Sequence, residues 1–291
     1  MTELTEQVLR GITNDGAFRA ITINATKMVQ RVLNIHKLSG NNAQLLGQLL
    51  VAGVMIRETM APGMRVQAIL GSHPPKFSLV ADARPKGMTR GLASLPEDGS
   101  DITLGKDTLL QVVRVLYNGE LQQGIITTEG ANGLAGAVQS YMLNSEQVHS
   151  LVDICCVIED DPVTGLAKVK VAGGYIIQML PEADEAALAI MTVTAESFPP
   201  VAQMLQSEGG DPEGLMHMLL KPFERTVLDK SSVHEGCPCS MTRVVGALAT
   251  MGRAEIVDIV RKGEVLSIDC DYCRTNYQVG SELLKPLLDR N

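Results

Sequence analysis

The stretch Leu45-Leu-Gly-Gln-Leu-Leu-Val-Ala-Gly-Val-Met-Ile56 contains one clearly polar residue, Gln48. A helix that is apolar on nearly every side lies inside a protein core, because no face of it suits water. The stretch is also too short to cross a membrane, which takes about 20 residues. It therefore predicts a helix buried in the core of a folded domain.

Most of the remaining sequence up to residue 180 is typical of short strands separated by turns. The predicted strands are 65–70, 77–83, 88–93, 109–117, 124–128, 151–158 and 166–179. The turn signals Pro96-Glu-Asp-Gly99 and Asp161-Pro162 favour hairpins, which build a mostly antiparallel sheet. Asn24 is suited to cap a helix over residues 25–33. No regular repeat of strand and helix is present, so we predict the α+β class.

The composition excludes several classes of protein. The 291 residues are 45% apolar and 20% charged, which supports a packed core and excludes wholesale disorder. The net charge of −8 disfavours binding to phosphate backbones, and four Phe, five Tyr and no Trp leave few rings to stack on bases. The acidic start, residues 1–6, has no apolar segment of a signal peptide. We therefore expect a cytoplasmic protein that binds neither nucleic acid nor membranes.

No pattern in the sequence indicates a catalytic site. The P-loop pattern is absent, and Gly130, Gly133 and Gly136 have the wrong spacing for a dinucleotide-binding loop. We expect these glycines to mark a turn after the strand 124–128. Three histidines have no obvious nucleophile beside them: His36, His73 and His149. We therefore predict a protein that is not an enzyme.

The segment 181–230 differs from the rest of the chain in charge and in proline content. Its three basic and nine acidic side chains give it a net charge of −6, and it contains five of the 13 prolines. Two apolar clusters, 186–193 and 215–220, have the spacing of short helices. Composition alone favours an ordinary helical connector. Because such short helices are marginal in isolation, we expect them to depend on docking against a neighbour.

Six cysteines fall into two groups. Cys155 and Cys156 lie in the predicted strand 151–158, where adjacent side chains point to opposite faces, and we expect both to be small buried hydrophobic residues. The other four form two close pairs, Cys237-Pro-Cys239 and Cys270-Asp-Tyr-Cys273. Two short thiolate turns supply the four ligands of a tetrahedral zinc site, so we predict one Zn²⁺ per chain at these four cysteines. His234 is an alternative ligand, although four thiols already complete a site.

The residues around these pairs predict a small metal-stabilised module. Ser240 is suited to cap one helix, Gly263 to end a second and Ser281 to cap a third, with strands at 264–268 and 277–279. About 60 residues make a small core, so the metal is expected to supply much of the folding energy. A plain zinc ribbon is the alternative. The seven basic and eight acidic side chains of 231–291 argue against a ribbon that reads nucleic acid.

Thiolate chemistry suggests what such a module does. Thiolates are the forms that oxidants attack, and conversion to disulfides removes the metal ligands. The loss of about 10–16 kcal/mol from metal binding exceeds the stability of a typical small domain. We expect the module to unfold and the preceding segment to lose its support. The apolar side chains that then become available to unfolded chains include Met191, Met204, Leu215, Met216, Met218 and Leu219.

The motif Cys237-Pro-Cys239-Ser240 followed by Cys270-Asp-Tyr-Cys273 resembles that of the redox-regulated holdase chaperones called heat shock protein 33, or 33 kDa chaperonin. The resemblance spans nearly the whole chain. Supporting stretches are Val80-Ala-Asp-Ala83 with Lys86-Gly87, Ser145-Glu-Gln-Val148 and Ala172-Gly-Gly-Tyr-Ile-Ile-Gln-Met-Leu-Pro181.

The resemblance implies an ATP-independent chaperone that is inactive when reduced and zinc-bound. Oxidation in such proteins forms disulfides, here Cys237–Cys239 and Cys270–Cys273, releases zinc, and unfolds the switch and the linker. It implies a chaperone core domain at 1–180, a metastable linker at 181–232 and a redox switch at 233–291. It also implies that the active form is a homodimer that binds aggregation-prone clients through the linker and the surfaces that the linker covers.

This chain departs from many relatives near the cysteines. Gly236 and Asp271-Tyr272 stand where many relatives have His and His-Phe. We expect metal binding to survive these changes, whereas the charges of Asp269 and Asp271 are expected to slow attack by anionic oxidants. Two other functions remain open from the sequence: a constitutive zinc-stabilised interaction domain, and an oxidoreductase that uses one cysteine pair.

Overall fold

The computed structural model describes residues 6–72 and 76–288. The chain divides into two compact units, Met1–Glu235 and Gly236–Asn291. Within the described ranges, no helix is both long and apolar enough to span a bilayer. The α+β class predicted from the sequence is confirmed.

The first unit contains two sheets. The five-stranded sheet is antiparallel throughout, in the spatial order β10-β1-β2-β9-β8. Its strands are β1 (Gln7–Thr13), β2 (Phe18–Asn24), β8 (Ser150–Asp160), β9 (Ala167–Met179) and β10 (Arg225–Ser232). The six-stranded sheet has the order β11-β5-β4-β3-β6-β7 and is antiparallel except for its β11–β5 pair. Its strands are β3 (Arg65–Ser72), β4 (Phe77–Ala83), β5 (Met88–Ser94), β6 (Thr108–Val115), β7 (Leu121–Thr127) and β11 (His234–Glu235).

Three helices complete the core of this unit: α1 (Thr26–His36), α2 (Gly40–Glu58) and α3 (Gly133–Asn144). Helix α2 packs against strands of both sheets, and Leu46, Leu49 and Leu50 on it are fully buried. The predicted buried helix is therefore confirmed, and so are all seven predicted strands, to within a few residues at each end.

Two local predictions were wrong in part. Gly130 does lie in a turn, and Gly133 has a left-handed φ of 68° where α3 begins, but Gly136 lies inside α3, whose five buried side chains offset the cost of that glycine. Helix α1 is preceded by Ala25 at its N-cap. Asn24 still serves the start of the helix, since its Oδ1 accepts hydrogen bonds from the backbone N–H and the hydroxyl of Thr26, at 3.2 and 2.8 Å.

The segment after residue 180 is folded against the five-stranded sheet. It forms α4 (Glu185–Glu196), α5 (Val201–Gln206) and α6 (Pro212–Leu219) before entering β10. These helices share one apolar cluster with residues of β1, β2, β8 and β9. Of the six apolar residues singled out in the sequence, five are buried there and the sixth, Met218, is partly buried. The segment thus belongs to the first compact unit, and its role as a separate linker stays a prediction.

The second unit is small. It consists of α7 (Met241–Leu248), α8 (Arg253–Lys262), β12 (Leu266–Asp269), β13 (Asn276–Val279) and α9 (Ser281–Leu288), with β12 and β13 paired antiparallel. Its fully buried apolar residues are Ile256, Val279 and Leu284. The Ser240 side chain accepts a hydrogen bond from the backbone N–H of Arg243, and Gly263 ends α8 in a left-handed conformation, both as predicted.

Candidate metal centre

The sulfurs of Cys237, Cys239, Cys270 and Cys273 meet in the second unit, all within 4.8 Å of one another. Two sulfur–sulfur distances join the two sequence pairs: 3.8 Å between Cys237 and Cys270, and 3.3 Å between Cys239 and Cys273. All four residues are partly exposed. The four cysteines that the sequence spacing singled out as metal ligands therefore do lie together in the structure.

Local structure explains why the four side chains converge. The first pair comes directly before Ser240, whose cap fixes the start of α7. The second pair lies in the turn from β12 to β13, where the N–H of Arg274 donates to the carbonyl of Cys270 at 2.8 Å. Arg274 takes a left-handed conformation in this turn, with φ of 57°. A tight turn of this kind brings Cys270 and Cys273 to the same side.

Two hydroxyl groups lie against the cluster. The phenol of Tyr277 donates a hydrogen bond to the Cys239 sulfur at 3.0 Å, and the hydroxyl of Thr275 lies 3.3 Å from the Cys273 sulfur. Both hydroxyls come from the beginning of β13 or from the residue before it. The sequence predicted Tyr277 only as a strand residue, because its contact depends on the register that pairs it with Ile268.

The thiols of Cys239 and Cys273 differ strongly in pKa. Burial, opposed by Tyr277 and reinforced by Cys273 and Cys237, raises the pKa of Cys239 to about 12. Burial raises the pKa of Cys273, but hydrogen bonds with Thr275 and contacts with the other cysteines outweigh burial and lower this pKa to about 7. Cys273 therefore ionises before Cys239, and the negative charge of Cys273 opposes ionisation of Cys239.

The cluster fits a tetrahedral metal ion. Four sulfurs at about 2.3 Å from a central zinc lie about 3.8 Å from one another, which equals the separation of Cys237 and Cys270 and is somewhat longer than the 3.3 Å between Cys239 and Cys273. Four soft thiolates are also a donor set that zinc accepts. His234, the alternative ligand, lies in β11 of the first unit and is not part of the cluster.

The charges next to the cysteines are partly compensated. The amide of Asn276 donates to Asp269 at 2.7 Å, and Arg274 lies 3.9 Å from Asp271, with both partners well exposed. An exposed ion pair of this length contributes little free energy. The expected influence of the two aspartates on anionic oxidants therefore stays a prediction.

Cys155 and Cys156 are buried on opposite faces of β8. Cys156 faces the main core, and Cys155 faces the cluster formed by α4, α5 and α6. Burial raises the pKa of each thiol to about 12, so both are protonated at neutral pH and unreactive. This confirms the prediction that they are buried hydrophobic residues.

None of the histidines in the described ranges belongs to a cluster that could hold a metal ion. His36 lies 2.9 Å, through Nε2, from the carbonyl of Gly91, and His149 lines a cavity beside α4. His73 lies outside the described residues.

A family model described as Hsp33 protein matches residues 6–280 of the chain. The chain belongs to the Hsp33 family. A protein named 33 kDa chaperonin from Geobacter sulfurreducens is 29% identical over 298 residues, covering 98% of this chain and 96% of the relative. The protein of the same name from Bacillus cytotoxicus is 25% identical, covering 98% and 99%.

The fold agrees with this assignment. A crystal structure of the 33 kDa chaperonin, or heat shock protein 33 homologue, of Thermotoga maritima superposes with a TM-score of 0.77 at 20% identity and covers 98% of each chain. Membership in the Hsp33 family supports a chaperone, and the four cysteine sulfurs form a group that could hold a metal ion.

Proposed function

We propose that the chain is a redox-regulated, ATP-independent holdase whose reduced form binds one Zn²⁺ through Cys237, Cys239, Cys270 and Cys273. The convergence of these four sulfurs in a unit with only three fully buried apolar side chains in its described core carries the proposal. The four cysteines would hold the zinc as thiolates, and the metal would thereby link the two cysteine pairs. Because its core is so small, the unit depends for folding on the free energy of zinc binding, about 10–16 kcal/mol for a structural zinc.

Oxidation removes that support. In the proposed reaction, Cys237 and Cys239 form one disulfide, and Cys270 and Cys273 form the other. Each pair of thiolates gives two electrons to a peroxide, whose O–O bond breaks to give two hydroxide ions. Loss of the thiolates releases the metal ion, and the switch at 233–291 unfolds.

The segment 181–232 is the proposed linker that responds. Helix α4 has two buried residues among twelve, Ala187 and Met191, and β10 has none among eight. Its apolar side chains nevertheless cover the five-stranded sheet at Phe18, Tyr175 and Ile177. Release of the linker exposes both surfaces at once, which gives unfolded proteins a large apolar area to bind.

The remaining features of the proposal follow from this mechanism. Clients are unfolded or oxidatively damaged proteins in the cytoplasm, held without catalysis, and the active form is a homodimer. The linker side chains proposed to contact clients are Met191, Met204, Leu215, Met216, Met218 and Leu219.

Light scattering of a thermally unfolding client, without ATP, tests the proposal. We expect oxidised, zinc-free protein to suppress scattering and reduced, zinc-loaded protein to leave it unchanged. The double variant Cys155→Ala, Cys156→Ala is the matched control, because it removes two buried cysteines and should keep the switch. Equal suppression by both forms would instead indicate a constitutive chaperone with structural zinc, and suppression by neither would contradict a holdase.

A further inference from the structure

Strand β10 occupies one edge of the five-stranded sheet and pairs only with β1 in that sheet. Seven residue pairs join the two strands, from Gln7 opposite Ser232 to Thr13 opposite Arg225. None of the eight residues of β10 is buried, and Val227 and Leu228 are 46% and 57% exposed. The pairing therefore depends mainly on the backbone and only weakly on the side chains of β10.

Two side-chain contacts tie β10 to α6 of the same proposed linker, one between Lys230 and Glu213 at 3.6 Å and one between Arg225 and His217, and two more tie it to β1 and the turn that follows β1. Arg10 forms an ion pair with Asp229 at 2.8 Å, and the Thr226 hydroxyl donates to Asn14 at 2.9 Å. The register also shifts between Arg10 and Gly11, so Leu228 has no partner in β1. A bulged, exposed edge strand of this kind separates more easily than a strand with a buried face.

Strand β1, in contrast, is held from both faces. Val8 belongs to the main core, and Leu9 belongs to the apolar cluster under α4, α5 and α6. On its other side, β1 pairs with β2 over six residues. Departure of β10 thus leaves β1 in place, with the backbone N–H and C=O groups along one edge unpaired.

We propose that the edge of β1 vacated by β10 binds an extended segment of a non-native client by antiparallel strand addition. The inference rests on the proposed function, because β10 is part of the linker that oxidation releases. Addition of a strand to a sheet edge uses main-chain hydrogen bonds and tolerates unrelated side chains. The present occupant already shows this tolerance, since its side chains face solvent and its backbone makes the pairing.

The reduced full-length protein tests strand addition independently of the redox switch. Thr226→Pro with Val227→Pro removes two adjacent N–H groups from β10, and at least one of two neighbouring N–H groups in a paired strand points at the partner strand. The matched control, Thr226→Ala with Val227→Ala, trims the same side chains and keeps both N–H groups. The probe is a fluorescent peptide with the sequence of residues 225–232, and its counterpart is N-methylated at alternate residues.

We expect the proline variant to bind the unmodified peptide about tenfold more tightly than the alanine control does, and to bind the methylated peptide no more tightly than the control. Binding should also slow amide hydrogen exchange at Gln7–Thr13. Equal binding of the two peptides, or no gain over the alanine control, would overturn the inference. Retained exchange protection in β8 and β9 verifies that the proline variant is folded.

Oxidised wild-type protein with a bound client provides the second measurement and does not depend on the variant. Strand addition predicts that the client slows exchange at Gln7–Thr13. Suppression of aggregation with no change at these amides would leave the holdase intact and contradict strand addition. If oxidised protein fails to suppress aggregation, the proposed holdase fails, and the peptide measurement still decides whether the edge of β1 accepts a strand.

Discussion

Tyr277 is the side chain outside the four cysteines that most directly affects their chemistry. Its hydroxyl donates to the Cys239 sulfur at 3.0 Å. A hydrogen bond to a charged acceptor contributes about 1.5–3 kcal/mol, and it stabilises the thiolate more than the less charged sulfur formed during oxidation. In the proposed redox switch, Tyr277 is therefore expected to slow the attack of Cys239 on an oxidant.

We predict that Tyr277→Phe speeds zinc release by peroxide. If loss of the hydrogen bond lowers the activation free energy for oxidation of Cys239 by about 1 kcal/mol, the rate of zinc release rises about fivefold. A zinc-sensitive dye measures the release, and Tyr117→Phe is the control, because it removes a hydroxyl of the first unit. An unchanged or slower rate in the Tyr277 variant would contradict this role.

Asp82 is a fully buried carboxylate on β4 that three arginines surround. Arg65, Arg90 and Arg84 donate to it from 2.5, 2.7 and 3.2 Å. Burial alone would raise the pKa of Asp82, but the hydrogen bonds and charges of these arginines lower it below its ordinary value. The charged form is thus the stable form in the folded protein, and it ties β3, β4 and β5 together.

We predict that Asp82→Asn lowers the free energy of unfolding of the first unit by about 3–5 kcal/mol at neutral pH, because three partly buried guanidinium groups lose their counter-ion. A folded-state pKa below the unfolded value means that the carboxylate contributes its full stability above the unfolded pKa. That contribution is lost as the pH falls through the folded pKa. Denaturant unfolding should therefore show that the free energy of unfolding falls less between pH 7 and pH 3 in the variant than in the wild type. An equal fall in both proteins would contradict the stabilising role of the Asp82 carboxylate.

At the scale of single elements, α4 is the least well packed helix of the proposed linker. A cavity of about 490 Å³ lies beside it, lined by Leu188, Met191 and Ala195 of the helix and by residues of β2, β8 and β9. On its outer side, Val193 is 70% exposed. This cavity is open to solvent, so α4 makes fewer apolar contacts with the sheet on this side than a closely packed helix would.

We predict that Ala195→Leu stabilises α4 by about 0.5–2 kcal/mol, the usual gain from filling a cavity. The variant should need more oxidant or a higher temperature before its linker loses exchange protection and before it suppresses aggregation. Val193→Leu is the control, because it adds a methylene on the exposed side of the same helix. Equal behaviour of the two variants would show that the cavity does not set the threshold.

The elements that the sequence predicted are those with a strong local pattern. Helix α2 is apolar over most of its length, and the four cysteines are recognisable from spacing alone. Strand β10 was not predicted from the sequence, because Arg225–Ser232 has no apolar face. Its strand conformation depends instead on its pairing with β1. The contact of Tyr277 with Cys239 was missed for the related reason that it depends on the β12–β13 register.

At the scale of the whole molecule, the chain contains two units whose apolar cores differ greatly in size. The first unit has two extensive apolar clusters, whereas the second has a small core and a four-sulfur site. Zinc binding supplies about 10–16 kcal/mol to a site of this type, more than the few kcal/mol expected from so small a core. Thiolate oxidation is therefore expected to unfold the second unit selectively.

The most direct measurement of the central claim is amide hydrogen exchange of the full-length protein, reduced and zinc-loaded or oxidised and zinc-free, with zinc release followed in the same samples. We predict that oxidation releases one zinc per chain and removes protection from 181–232 and from the described part of the second unit, 236–288. Strands β2 and β9 should stay protected. Zinc release with unchanged protection at 181–232 would contradict the account, because the cysteine cluster would then not control the linker.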